Sequence, residues 1–98
     1  MRIVDYEPRS WFLAEEDGAL YLDLNCSSGP AGFTMLVRLT DEEYDRVARD
    51  GHSATDTIAT QLQYHAVSLF KARNLGPEWQ ARLGKAVDAW LAARRAEE

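Results

Sequence analysis

Through the first third of the chain, hydrophobic and polar positions alternate in twos; beyond residue 40 the spacing changes to threes and fours. Strands are therefore expected first and helices second. The clearest alternation is Leu20, Leu22 and Leu24 interleaved with Tyr21, Asp23 and Asn25. Just upstream, Trp11–Glu16 runs into Asp17-Gly18, a dipeptide suited to the positive φ angles of a two-residue hairpin turn. A turn on those two residues sets Glu16 opposite Ala19, Leu13 opposite Leu22 and Trp11 opposite Leu24, so the bulky residues of both strands share one side. A third strand is expected over 33–39, where Phe33, Met35, Val37 and Leu39 alternate with Thr34, Leu36 and Arg38, after the turn-rich stretch 26–32. Residues 2–6 read as a short edge strand ended by Pro8, which has no amide hydrogen for a ladder.

The sequence Thr40-Asp41-Glu42-Glu43 is a capping box, and Leu39 before it with Tyr44 after it suits a hydrophobic staple, so two features mark the same helix start. Tyr44, Val47 and Ala48 share a face, and the apolar stripe continues through Ala54, Ile58, Leu62 and Ala66. Gly51 interrupts it. The expectation is two helical pieces, 41–49 and 53–65, with Ser53 and Asp56 as a second cap; one continuous helix tolerating the glycine is the alternative. Residues 66–73 fit a short extended segment or a loop, closed by Asn74-Leu75-Gly76. Pro77 suits the first position of a last helix to about residue 94, with Trp79, Leu83, Val87, Trp90 and Leu91 on one face. The fold class expected is α+β in one domain spanning 1–98. Its N-terminal antiparallel sheet has three to four strands, two to three helices pack on one face, and the leucine face of the sheet meets the tryptophan helix.

Sixteen acidic against 11 basic residues give a net charge of −5, a field that repels phosphate backbones, so direct nucleic-acid binding is not expected. The single cysteine closes no internal disulfide, and no run approaches the roughly 20 apolar residues of a membrane span. With no signal-peptide pattern at the start, a cytoplasmic protein without membrane contact is expected. The charge is unevenly spread. Residues 40–66 hold Asp41, Glu42, Glu43, Asp45, Asp50 and Asp56 against Arg46 and Arg49, a net −4, whereas residues 67–98 carry a net +2.

No motif names a reaction. Cys26 opens a Ser/Gly-rich stretch that leads into a strand rather than a helix, so nothing there lowers a thiol pKa, and a packing role is the simpler expectation. His52, His65 and Cys26 match no compact metal spacing, and the stretch after Cys26 lacks the lysine of a phosphate-cradling loop; no metal or other cofactor is expected. The acids Glu15, Glu16 and Asp17 at the hairpin tip, and Asp41, Glu42, Glu43 and Asp45 at the helix start, suit solvated positions or a helix N-terminus better than acid-base chemistry. On the sheet face away from the leucines stand Phe12, Tyr21, Asp23, Asn25, Leu36 and Arg38, a mixture found at protein interfaces and equally on exposed sheet faces.

The segments Trp11-Phe12-Leu13 and Tyr21-Leu22-Asp23-Leu24-Asn25-Cys26-Ser27, the capped acidic helix and the tryptophan-bearing last helix together are similar to small bacterial proteins. The overall build of those proteins resembles that of immunity proteins, which neutralise polymorphic toxins. That resemblance implies a non-enzymatic inhibitor, and it transfers no individual site residue. The leading expectation is thus a binding module for a basic protein, with Asp41, Glu42, Asp45 and Asp56 steering encounter and Tyr21, Asp23 and Arg38 as anchors. Two alternatives are a small enzyme or ligand-binding domain in which Asp23, Asn25 and Cys26 meet Arg73 in a cleft, and a homodimer whose partner is a second copy of the chain.

Overall fold

The computed structural model describes residues 1–26 and 33–97; the turn-rich stretch after Cys26 lies outside the described residues. Four strands, β1 (Arg2–Glu7), β2 (Trp11–Glu16), β3 (Ala19–Cys26) and β4 (Phe33–Arg38), are followed by four helices, α1 (Asp41–Asp50), α2 (His52–Tyr64), α3 (Ala66–Arg73) and α4 (Pro77–Glu97). The strands form an antiparallel meander in the order β1-β2-β3-β4, and the class is α+β.

The β2–β3 hairpin has the register expected from its turn, with Trp11 opposite Leu24, Leu13 opposite Leu22 and Glu16 opposite Ala19. Asp17 and Gly18 both take positive φ, 51° and 79°, the signature of the turn whose twist matches that of the flanking strands. In α1 the box closes in both directions, with Glu43 N donating to Thr40 Oγ1 (3.2 Å) and Thr40 N to the Glu43 carboxylate (2.9 Å). At Gly51 φ is 65° and ψ −137°, a region only glycine occupies readily. The helix therefore breaks there, and the continuous-helix alternative is excluded. Ser53 and Asp56 do not cap α2: Gly51 holds the N-cap position without a side-chain bond.

Residues 66–73 form α3, neither a strand nor a loop. The adjoining Asn74 and Leu75 provide the edge contact instead. Leu36 N donates to Asn74 Oδ1 at 3.1 Å and Leu75 N donates to Leu36 O at 2.8 Å, so the chain crosses the free edge of β4 there. That crossing changes the layering. The leucine face, with Trp11, Leu13, Leu22, Leu24, Met35 and Val37, packs on Val47 of α1, Ile58, Ala59 and Leu62 of α2, and Ala66 and Leu69 of α3. The last helix packs on the opposite face, where Leu83, Trp79 and Val87 meet Ala14, Tyr21 and Leu36. The expected union of the leucine face with the tryptophan helix is thus corrected, and the sheet is covered on both sides. Arg82 of α4 donates to Glu16 at 3.1 Å and ties the last helix to the β2–β3 hairpin. Among the described residues no helix is long and apolar enough to cross a membrane.

Candidate functional site

Because α4 covers the second sheet face only in part, the expected anchors meet different fates. Tyr21 is 4 % exposed and stacks on Trp79 with ring centroids 5.0 Å apart, so it belongs to the core and not to an open surface. Arg38 is exposed at the end of β4, where its carbonyl accepts from Arg73. Asp23 lies between its cross-strand neighbours Phe12 and Leu36. It lines a groove of about 290 Å³ together with the turn residues Arg9 and Ser10, and with Phe12, Asn25 and Thr34.

Asp23 is the chemically unusual group of this groove. Its Oδ1 is buried with no hydrogen-bond partner among the described residues, and burial raises the carboxyl from its ordinary 3.8 to about 6. Alternation on β3 puts it there: the leucines must face the larger core, so position 23 points to the other face, between two apolar side chains. The end of the groove is held by a network. Asn25 Nδ2 donates to Arg9 O (3.0 Å), Asn25 N to Ser10 O (2.9 Å), and Gln63 of α2 lies 3.1 Å from both Ser10 O and Asn25 O. Arg9 itself sits at φ 64°, an uncommon conformation for a residue with a Cβ. Behind Phe12, Trp90 meets both Phe12 and Tyr6 edge to face at 5.4 and 4.8 Å, and the Arg94 guanidinium stacks 4.6 Å over Trp90.

The other groups proposed to share this site are elsewhere. Cys26 lies on the leucine face, 1 % exposed, and its thiol is pushed up first by burial and then by the charge of Asp23. Arg73 is bound to Glu43 at 2.8 and 3.2 Å. The cleft of Asp23, Asn25, Cys26 and Arg73 therefore does not assemble. Burial acts to raise the Glu43 carboxyl but is outweighed by Arg73 and the Thr40 cap, so it stays below the usual range.

The acids of the mid-chain segment also divide. Asp56 accepts from the indole N–H of the buried Trp11 at 3.1 Å, so it is tied to the fold as well as facing solvent. Asp41, Glu42 and Asp45 are exposed on α1, in no ion pair among the described residues. They follow β4 at its Arg38 end, whereas the groove lies at the β1–β2 turn and the Asn25 end of β3, so the two do not form one patch.

Sequence reasoning missed a third cluster. His52, first residue of α2, lies with Nδ1 2.8 Å from Asp5 and Nε2 2.9 Å from Glu7, above the Trp11 ring at 5.0 Å. Glu7 foremost, then Asp5, raises the pKa of its imidazole. The alternation Asp5, Glu7 on one side of β1 was the available signal, but nothing local indicated that α2 would begin over it. This cluster joins helix to edge strand. Among the described residues no group of His, Cys, Asp and Glu side chains could hold a metal ion. Comparison of the chain with protein-family models, curated proteins and solved structures finds no match.

Proposed function

We propose that the protein is a binding module for a basic protein partner, acting as an inhibitor does, by contact and without catalysis. The observation that carries this reading is the division of labour among the carboxylates. Glu43 is neutralised by Arg73, Asp56 serves Trp11, and Asp5 and Glu7 hold His52. Asp41, Glu42 and Asp45 remain exposed on one helix with no counter-ion among the described residues. The first turn of α1 gains a little from its acids through the helix dipole, but three neighbouring uncompensated charges also repel one another. Such a surface speeds encounter with a cationic one. Asp56 is left out of the steering set because reversing its charge would disturb the Trp11 contact.

The test is the association rate with immobilised basic proteins of pI above about 9, secreted nucleases among them. One member of the set should form a saturable one-to-one complex. Its on-rate should fall steeply with salt and by about 10-fold or more in the D41K/E42K/D45K variant. Weak, non-saturating adsorption shared by all basic proteins, or a specific complex whose on-rate the variant leaves unchanged, would refute the reading.

A further inference from the structure

We propose that the groove at Asp23 is a socket for the guanidinium of an arginine side chain presented by a protein partner; the proposal rests on the reading of a basic partner given above. The group without a partner among the described residues is a carboxylate oxygen, which asks for a donor and rejects an anion. Further acceptors line the same groove. Asn25 spends its amide nitrogen on Arg9 O, which leaves its side-chain oxygen as an acceptor, and Thr34, its cross-strand partner, lines the same groove with a hydroxyl-bearing side chain. Asp23 itself lines the groove, and the terminal torsion of an aspartate is soft enough for its two oxygens to exchange places.

The shape selects among cations. Phe12 gives the groove a flat aromatic wall, and at about 290 Å³ the space suits one long side chain rather than a larger ligand. A guanidinium is planar, weakly hydrated, and carries five N–H donors that can serve several acceptors while its face lies on a ring. An ammonium is compact and holds its water more tightly. The aromatic shelf behind Phe12 already accepts this chemistry within the molecule, where Arg94 stacks over Trp90 and Tyr6. The rim is set before any ligand arrives, because Gln63 and Asn25 hold the β1–β2 turn, so little ordering opposes binding. Two further charged groups face the groove, Glu7 and Arg9. Glu7 is engaged by His52, and Arg9 makes no ion pair with Asp23 in the structure.

The test is an NMR titration of the labelled full chain with acetyl-Gly-Arg-Gly-amide, against the same peptide with lysine or with uncharged citrulline. The arginine peptide should shift the amides of Phe12, Asn25 and Thr34 and lower the midpoint at which the Asp23 carboxyl titrates. It should bind about 10-fold more tightly than the citrulline peptide and lose about the same factor against D23N, the loss of one charge-assisted bond. Equal binding of citrulline, or full binding by folded D23N, would overturn the socket, and equal binding of lysine would overturn its guanidinium preference. If Arg9→Ala alone raises the Asp23 midpoint, the chain's own Arg9 is the occupant and the proposal falls. Shifts confined to Asp41, Glu42 and Asp45 would also overturn the socket while leaving the basic-partner reading intact. A working socket with no saturable protein complex would overturn that broader reading instead.

Discussion

Replacing Asp23 by asparagine removes a charge while keeping the side chain's volume, and so isolates what ionisation at this position costs the fold. Raising the carboxyl from 3.8 to about 6 corresponds to a penalty of about 3 kcal/mol on the charged form. Partial solvent access at the groove reduces the expected figure to about 1–2 kcal/mol. The sign is set by proton binding. Between the ordinary value and the raised one the folded state holds more protons than the unfolded state, so this residue makes stability fall as pH rises through that window. Urea unfolding of the wild type and D23N between about pH 4 and pH 8 measures the difference directly. The wild type should lose about 1–2 kcal/mol relative to the variant on going from the acid end to neutrality. Any cost of the new amide's own unmet hydrogen bonds is independent of pH and cancels from that slope. Parallel curves would refute the argument that burial between Phe12 and Leu36 raises this carboxyl.

Glu43→Ala removes half of the capping box and leaves the partly buried Arg73 guanidinium with the Arg38 carbonyl but no carboxylate, an expected cost of about 1–3 kcal/mol by chemical denaturation. Because the folded value of Glu43 is depressed, its contribution is complete above the ordinary 4.5 and disappears as pH falls through the lowered value. His52 behaves in the opposite sense: its raised folded value makes its contribution complete below the unfolded 6.5 and lost as pH rises through the folded one. H52A should therefore flatten the alkaline limb of the wild-type stability profile. Gly51→Ala should destabilise by about 1–3 kcal/mol although nothing among the described residues lies within 4 Å of the added Cβ, since the cost is backbone strain; a neutral result would mean that α1 and α2 join in another conformation. Trp79→Ala should bring Tyr21 into contact with solvent and lower stability by about 2–3 kcal/mol, which an α4 packed on the leucine face would not produce.

Local rules settled the elements with local causes. Asp17-Gly18 determines a hairpin whose register follows from counting outward from the turn, and Thr40 with Glu43 determines where α1 begins, because both act over a few bonds. The break at Gly51 was visible for the same reason. The 66–73 segment was not: α3 has scarcely any one-sided apolar pattern of its own, and its helix is decided by Ala66 and Leu69 reaching the core beneath β4. Tertiary structure alone decided that the chain would cross the β4 edge at Leu75 and lay α4 on the second face. An amphipathic stripe states that a helix must be covered but not by which side of a sheet. That choice buried Tyr21, left a groove beside Phe12, and enclosed the Asp23 oxygen without a partner among the described residues. Alternation had already placed Asp23 opposite the leucines. Its dielectric surroundings depend on elements far away in sequence, and so does its candidacy as a site.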